Sequence, residues 1–287
     1  MFGKECYKDI NRILNEKLQE KKALVAVHRG VRGGNITENT ITAFNAALDM
    51  GGDAFECDVI RSTDGILYVF HDGTEPRNLN RQENIKTMSS QTIDQLWCNN
   101  GDMVSSGTHV EKLEDVLKYF CHGELFNIDR AWDIFPELFP VLDQYPHVLS
   151  QAIIKSPVEE KYLDFLDQYP VKYMYMPIVY SMEEAAKVME YKNINLVGME
   201  LIAENEDADV YKDENIRRIR EQNLFVWINV IKLGEHYCLF GHLDDDKALK
   251  GDPDGSWGEV LKKGGNILQT DWPYQLSCYR NQYFGLK

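Results

Sequence analysis

The 287-residue sequence predicts an α/β fold, namely a (β/α)8 barrel, because short apolar segments alternate along it with amphipathic helical segments. Three early apolar segments also end in residues with reactive side chains. These ends read His28-Arg29, Glu56-Cys57-Asp58 and His71-Asp72. Reactive groups at the carboxyl ends of successive parallel strands form the active site of such a barrel, and its usual length of about 250 residues suits this chain.

The first elements follow from apolar spacing and from helix-capping residues. Residues 5–22 place apolar side chains on one side of a helix, which we expect to cover the bottom of the barrel. Residues 23–27 form the first predicted strand and 54–59 the second. Between them, Thr37 or Asn39 can cap a helix that ends near Met50.

The third apolar segment begins at residue 66, after a short turn at Asp64-Gly65. This connection is too short for a crossover helix, so we expect an extended return and a barrel with one missing crossover helix. Further strands are predicted at 125–129, 151–155, 173–178, 196–201, 224–229 and 266–270. The sequence thus offers nine strand candidates for eight barrel positions.

We expect a single domain over residues 1–287 with two insertions, at about 73–110 and about 234–263. The first is polar and irregular, with a short helix predicted near 90–96, and it forms a small inserted loop subdomain. The second contains acidic turns at 244–246 and 252–255. Their spacing differs from that of an EF-hand, so helix caps and turns are the favoured interpretation over a calcium loop.

Composition narrows the class of function. The formal net charge of −15 argues against broad binding to nucleic acid or to anionic membranes. The polar N-terminus has no apolar signal core and no segment is long enough to span a bilayer, so a cytoplasmic location is expected. The six cysteines include no Cys-x-x-Cys pair, which argues against a zinc site and favours free thiols.

The ordered motifs of the first 72 residues resemble the glycerophosphodiester phosphodiesterase family. They are His28-Arg29-Gly30, Glu38-Asn39-Thr40, Glu56-x-Asp58, Thr63-Asp64-Gly65 and His71-Asp72. The resemblance implies a metal-dependent hydrolase of glycerol and lipid metabolism that yields glycerol 3-phosphate and an alcohol. It also implies an inserted subdomain after the third apolar segment.

A metal site is expected at Glu56, Asp58 and Asp129. Glu56 and Asp58 lie two apart on a strand and face the same side, where two carboxylates repel each other unless a cation lies between them. Asp129 ends the predicted strand at 125–129, and the family has a glutamate there as its third ligand. Oxygen ligands favour one Mg²⁺ or Ca²⁺ ion. The alternative is that the carboxylates form structural ion pairs with Arg29 or Lys155.

His28 and His71 are the candidate acid–base pair, since histidine titrates near neutral pH and the family uses these two positions for proton transfer. The sequence leaves open which of them is the base. Arg29 is expected to bind the phosphate, with a surface ion pair as its alternative. Glu38 either pairs with Arg29 or lies in the first turn of the following helix.

A departure from the family concerns the phosphate. The family's fourth strand carries Glu-x-Lys, where this chain has Asp129 and Ala131, so we expect Lys155 on the next strand to supply the missing cation. Its alternative is a lysine that reaches solvent at the rim. Glu200 and Trp227 are possible substrate contacts, with core packing as the default for Trp227. Asp271 is expected to be a structural cap.

The predicted function is hydrolysis of a small-molecule glycerophosphodiester through a cyclic phosphate. One histidine removes a substrate hydroxyl proton, the other protonates the leaving alcohol, and water then opens the ring. Two alternatives remain: an inositol- or sphingo-lipid-type phosphodiesterase of the same barrel class, and a catalytically inactive binding module on this fold. No nucleic acid partner is expected, and the sequence does not indicate the oligomeric state.

Overall fold

The computed structural model describes residues 1–286 and confirms the predicted barrel. Its strands are β1 (Leu24–Val27), β2 (Ala54–Arg61), β3 (Leu67–Val69), β4 (Trp97–Asn99), β5 (Ser105–His109), β6 (Glu111–Lys112), β7 (Leu125–Asp129), β8 (Ala152–Pro157), β9 (Met174–Val179), β10 (Gly198–Leu201), β11 (Phe225–Asn229) and β12 (Ile267–Thr270). Eight of them, β1, β2 and β7 to β12, form a parallel ring. The ring closes because β1 pairs with both β12 and β2.

Helices separate the barrel strands. They are α1 (Arg12–Lys21), α2 (Ile41–Asp49), α3 (Glu75–Leu79), α4 (Ser90–Ile93), α5 (Leu113–Tyr119), α6 (Phe135–Leu142), α7 (Glu160–Gln168), α8 (Met182–Met189), α9 (Asp213–Glu221), α10 (Asp245–Leu249), α11 (Glu259–Lys263) and α12 (Pro273–Phe284). Within residues 1–286, no helix is long and apolar enough to cross a membrane.

The prediction that one crossover helix is missing is wrong. The third apolar segment became β3, which pairs antiparallel with the end of β2 and lies outside the parallel ring. The next barrel strand after β2 is therefore β7, and α5 supplies the crossover between them. The same observation resolves the surplus of strand candidates, since β3 is the one that is not a barrel strand.

The antiparallel return of β3 determines where its last residues lie. Strand β2 continues past its pairing with β7, and Val59 to Arg61 pair with β3 instead. The chain then comes back toward the barrel, where the Phe70 N–H donates to the Asp58 carbonyl at 3.0 Å. His71 consequently lies at the level of Asp58, at the carboxyl end of the ring.

The barrel interior changes from apolar to polar along the strands. Leu14 and Leu18 of α1 pack against the lower interior, as predicted for a helix that covers the bottom. That cluster includes Leu24, Ala54, Leu125, Ile153, Phe225, Trp227 and Ile267. Because side chains alternate along a strand, positions two residues further on also face inward. These include Glu56, Lys155 and Gln269, so polar groups collect at the upper end.

Gly198 makes room in this interior. A Cβ atom at this position would lie 2.2 Å from the Phe225 ring, far inside van der Waals contact. Without a side chain, β10 accommodates the aromatic ring of its neighbour β11, which helps to fill the barrel below the polar layer.

The cap of α2 differs from the expectation. Thr40, not Thr37 or Asn39, is the N-cap residue, and its hydroxyl accepts from the Ala43 N–H at 3.2 Å. Asn39 has a left-handed backbone, with φ of 55°, and its side chain turns toward β2 instead. Glu38 precedes the cap and is buried, so it does not lie in the first helical turn.

Residues 73–110 contain α3, α4 and the β4–β5 hairpin. They cover a separate apolar cluster that is formed by Ile60, Tyr68, Phe70, Leu79, Ile85, Met88, Ile93, Leu96, Cys98 and Val110. Residues 234–263 contain α10 and α11, which lie between β11 and β12. There Asp244 caps α10 and the Asp252 side chain accepts from the Gly255 N–H, the turn and cap roles expected for these aspartates.

A buried ion pair attaches α12 to the barrel. Arg280 is 4% exposed and donates to Asp53 Oδ2 at 2.6 Å and to the Ala23 carbonyl at 2.8 Å. Asp53 also accepts from the Val25 N–H. We expect Arg280→Leu to lower the free energy of unfolding by about 3–5 kcal/mol, because it leaves the buried Asp53 carboxylate without a counter-charge. Urea denaturation followed by circular dichroism measures this.

The exposed Arg217→Leu is the matched control and should change stability by less than about 0.5 kcal/mol. Adding Asp53→Asn to Arg280→Leu should recover part of the loss, since it removes the unpaired charge. An Arg280→Leu variant as stable as its parent contradicts this account of the ion pair.

Candidate active site

A cavity of about 390 Å³ opens at the carboxyl end of the barrel, and every barrel strand or the loop after it contributes to its lining. One side is charged and includes His28, Arg29, Glu56, Asp58, His71, Asp129, Lys155 and Glu200. The other side is apolar, with Trp132, Ile178, Tyr180, Ile202, Ile231, Leu233 and Leu239. Eight of the nine site residues named from the sequence thus line one cavity. Trp227 is the exception.

Glu56, Asp58 and Asp129, which we call the acidic group, offer carboxylate oxygens that all lie within 4.8 Å of one another. Adjacent pairing of β2 and β7 places Asp58 directly opposite Asp129. Burial raises the pKa of Glu56 well above its usual range, and the nearby charges of Asp58 and Asp129 raise it further. The three carboxylates therefore repel one another, and added positive charge would stabilise their ionised forms.

Arg29 lies at a sharp turn after β1. Both Arg29 and Gly30 have positive φ, 56° and 71°, and a Cβ atom at Gly30 would lie 2.6 Å from the Ala43 backbone. This turn aims the Arg29 N–H at Glu56 Oε2, at 2.8 Å. The guanidinium lies over the acidic group, with Nε 3.1 Å from Asp58 Oδ2, and Nη1 donates to Glu38 at 3.3 Å.

Asn39 holds Asp58 in place, a role that the sequence reasoning missed. Its amide donates to Asp58 Oδ2 at 2.9 Å, and its carbonyl accepts from the Asp58 N–H at 3.1 Å. The sequence signal for this role was the Glu38-Asn39-Thr40 motif. Because Thr40 caps α2, the neighbouring Asn39 side chain is free to form hydrogen bonds with another element. Within residues 1–286, Asp58 Oδ1 and Glu56 Oε1 accept no hydrogen bond and are available as ligands.

His28 Nδ1 lies 3.0 Å from Asp271 Oδ1. The ionised carboxylate can only accept, so Nδ1 carries the proton and Nε2 remains for chemistry. The expectation that Asp271 is a structural cap is wrong: Trp272 occupies the N-cap position of α12, and Asp271 contacts His28. Closure of the ring between β1 and β12 is what brings these two residues together.

His71 lines the same cavity as His28. Burial lowers the pKa of His71, and the positive charges of Arg29 and Arg130 lower it further against the opposing charge of Asp58. Its buried Nδ1 has no hydrogen-bond partner among the described residues. The following residue, Asp72, pairs with Lys86 at 2.6 Å and with Arg130 at 3.2 Å, which fixes the loop that carries His71.

Lys155 is 2% exposed and lies between two carboxylates, with Nζ 2.6 Å from Asp129 and 3.0 Å from Glu200. Burial alone would lower its pKa, but Asp129, Glu200 and Glu56 outweigh burial and raise it. The expected alternative of a lysine at the solvent-exposed rim is therefore wrong. Glu200 is held on its other side by Asn229, which donates to it at 2.5 Å.

Two residues that the sequence singled out lie outside the cavity. Trp227 is fully buried in the layer below it, so the expectation of a substrate contact is wrong and the core alternative holds. Its indole N–H donates to Asn229 and Gln269 at 3.0 Å each, so it supports two lining residues. Ala131 packs in the outer core behind the barrel wall, because the chain turns at Arg130, with φ of 55°.

A family model described as the glycerophosphoryl diester phosphodiesterase family matches residues 28–227. The chain belongs to this family. The match begins at His28 and includes all of the charged residues placed in the cavity above, but it ends before Asp271, the partner of His28. A second model, described as a domain of unknown function, matches residues 175–280.

Curated relatives carry the same family name. A glycerophosphodiester phosphodiesterase from Caldanaerobacter subterraneus is 41% identical over 153 residues, which cover 52% of this chain and 54% of the relative. One from Bacillus altitudinis is 35% identical over 112 residues, 37% of this chain and 43% of that protein. The chain thus matches about half the length of these relatives or less.

Solved structures share the fold over nearly the whole chain. A glycerophosphoryl diester phosphodiesterase from Parabacteroides distasonis superposes with a TM-score of 0.74 and 15% identity, covering 91% of this chain and 87% of that one. A phosphodiesterase from Oleispira antarctica, solved with the product sn-glycerol-3-phosphate, gives 0.65 and 14%, covering 89% and 95%. At these identities the likeness shows the fold alone.

Proposed function

We propose that the protein hydrolyses glycerophosphodiesters to glycerol 3-phosphate and an alcohol. The observation that carries this proposal is the placement of His28 and His71 in one cavity with three converging carboxylates and the cationic side chains of Arg29 and Lys155. Family membership supports the same activity. An inactive binding module is disfavoured, because both histidines and the acidic group are in place for proton transfer and ligand binding.

We infer that the acidic group binds one divalent cation. Its donor set consists of carboxylate oxygens, two of which are otherwise unused. Burial raises the pKa of Glu56, and the charges of Asp58 and Asp129 raise it further, so a cation placed there would favour the ionised form. Glu56, Asp58 and Asp129 would hold Mg²⁺ or Ca²⁺. Such an ion acts as a Lewis acid that lowers the pKa of a bound hydroxyl and neutralises developing negative charge.

The two histidines have different environments, which suits opposite roles. His71 is the base of the first step, because its lowered pKa keeps it neutral and able to accept the proton of the substrate hydroxyl. The hydroxyl oxygen then bonds to phosphorus, and the bond from phosphorus to the leaving oxygen breaks. His28 protonates that oxygen from Nε2, while Asp271 stabilises its imidazolium form through Nδ1.

Hydrolysis of the resulting cyclic phosphate reverses the roles. His28 takes a proton from water, the hydroxide oxygen bonds to phosphorus, and the ring P–O bond breaks. His71 returns its proton to the freed substrate oxygen. We assign Arg29 and Lys155 to the phosphate, since each places a cation beside the acidic group and inside the cavity.

Removal of divalent ions should abolish hydrolysis. We expect glycerophosphoethanolamine to be cleaved by the protein with Mg²⁺ or Ca²⁺, and the rate after dialysis against EDTA to fall by about a hundredfold or more. Release of glycerol 3-phosphate, followed with a coupled dehydrogenase, measures the rate. Ion binding is checked separately by calorimetry, in which Asp58→Asn should bind more weakly than the parent and the exposed Asp102→Asn should not.

Hydrolysis that continues in EDTA, or equal ion binding by Asp58→Asn and the parent, contradicts the metal assignment. A lysophospholipid belongs in the same substrate panel, because one side of the cavity is apolar and includes exposed side chains. Tyr180 is 53% exposed and Leu233 is 50% exposed there. Preference for the lysophospholipid favours a lipid-type phosphodiesterase of the same barrel class.

A further inference from the structure

Three arginine side chains converge on one buried carboxylate beside the active-site cavity. Glu38 Oε1 accepts from Arg77 Nη2 at 2.7 Å and from Arg29 Nη1 at 3.3 Å, and Oε2 accepts from Arg32 Nη1 at 3.4 Å. The Glu38 side chain is only 5% exposed. We call Arg29, Arg32 and Arg77 the arginine cluster.

The arginine cluster has more charge and more donors than Glu38 can satisfy. Each guanidinium has five N–H donors, yet within residues 1–286 each of the three donates a single side-chain hydrogen bond. Asp58 offsets Arg29 at its other edge, at 3.1 Å. Among the described residues, Arg32 and Arg77 have Glu38 as their only carboxylate partner within 4 Å.

The arginine cluster lines a side pocket of about 200 Å³. Its lining also includes Lys232, Leu233, His28 and Asp271, so the pocket adjoins the active-site cavity at His28, Arg29 and Leu233. Lys232 is already paired with Asp244 at 3.1 Å, and Asp271 with His28. A substrate bound at His28 can therefore extend one end into the side pocket.

A purely structural role explains Arg77 but not Arg32. Arg77 and Asn78 of α3 bind Glu38 and so attach residues 73–110 to the barrel. Arg32 lies on the same loop as Glu38 and attaches no other element. Its side chain is 59% exposed, and its one contact is long, at 3.4 Å. A guanidinium held at a pocket mouth with free donors is suited to a ligand.

We propose that the side pocket binds a second phosphate, a phosphomonoester carried by one alcohol of the phosphodiester substrate. A phosphomonoester offers three acceptor oxygens and close to two negative charges, which match several guanidiniums better than a single carboxylate does. This inference rests on the proposed phosphodiester hydrolysis. It specifies substrates that carry an anionic end about one short alcohol away from the scissile bond.

The test compares three synthetic glycerophosphodiesters that differ in the leaving alcohol: ethanol, glycolate and 2-phosphoethanol. We expect kcat/KM for the 2-phosphoethyl ester to exceed that for the ethyl ester by about tenfold in the parent, with the glycolate ester between them. Arg32→Ala should reduce this ratio about fivefold, and Arg32→Lys should keep part of it. The exposed Arg217→Ala, on α9, is the matched control and should leave the ratio unchanged.

Binding of inorganic phosphate to the metal-free protein, measured by calorimetry, separates this inference from the proposed function. Equal hydrolysis of all three esters leaves the function standing and overturns the second-phosphate site, as does a ratio that Arg32→Ala does not change. If no ester is hydrolysed, the proposed function fails and the phosphate titration decides. Weaker binding by Arg32→Ala than by Arg217→Ala then supports the site, and equal or absent binding overturns it.

Discussion

His71→Ala and His28→Ala should each lower kcat by about a hundredfold or more while the fold remains intact, since each removes one group of the proton-transfer pair. The two side chains line one cavity together with the acidic group, and neither belongs to the apolar core. The rate of glycerol 3-phosphate release measures the loss, and circular dichroism checks the fold.

The pH dependence of kcat/KM should distinguish the two histidines. Burial, Arg29 and Arg130 lower the pKa of His71 from its ordinary value of 6.5, so the acidic limb of a bell-shaped profile should lie below pH 6.5. His71→Ala should lose that limb, because no base remains to be protonated as the pH falls. His28→Ala should keep that limb, because His71 is still present as the base.

His122→Ala is the matched control, because His122 is exposed and follows α5 at the opposite end of the barrel. Near-parental kcat in either active-site variant contradicts the acid–base pair. Loss of the acidic limb in His28→Ala, together with its persistence in His71→Ala, leaves the pair standing but reverses the two assigned roles. Asp271→Asn should give a smaller loss than His28→Ala, since it affects only the orientation and charge of the imidazole.

Lys155→Met should lower both activity and stability. Removal of the ammonium group leaves the Asp129 and Glu200 carboxylates unpaired in a buried site, which costs about 3–5 kcal/mol of unfolding free energy. We also expect kcat/KM to fall by about a hundredfold, because a buried cation beside the phosphate is lost. Urea denaturation and the glycerol 3-phosphate assay measure the two effects.

A second substitution separates catalysis from folding. Lys155→Met together with Glu200→Gln removes one of the unpaired charges and should regain part of the stability without regaining activity. Restoring the family's lysine by Ala131→Lys should not rescue the variant, because Ala131 faces the outer core rather than the cavity. If the double variant with Glu200→Gln recovers parental kcat/KM, Lys155 acts only as a structural counter-ion.

Much of the candidate site could be predicted because it depends on local patterns. Alternation along a strand places Glu56 and Asp58 on one face, and termination of parallel strands places His28, Asp129 and Lys155 at one end of the barrel. These relations hold for residues close together in the chain or at equivalent strand ends. The barrel, the bottom helix α1 and the list of charged cavity residues follow from them.

Prediction from the sequence failed where the position of a segment depends on its strand pairing with another segment. The apolar segment at β3 has the composition of a barrel strand, but only its antiparallel pairing with β2 shows that it lies outside the ring. That pairing still returns His71 to the level of Asp58. The sequence therefore determined that His71 belongs to the site, although the predicted route through a parallel strand end was wrong.

The other contacts of the candidate site are determined by the tertiary structure alone. Closure of the ring brings Asp271 to His28, 243 positions away, and nothing in the local sequence of either residue specifies the other. Trp227 lies in the barrel layer below the cavity and is therefore core. Lys155 lies at the level of the cavity, where it bridges Asp129 and Glu200. Composition and strand ends thus determined which groups meet at the barrel mouth. Strand register and ring closure decided which of them touch, because hydrogen-bonded contacts require positions accurate to a fraction of an ångström.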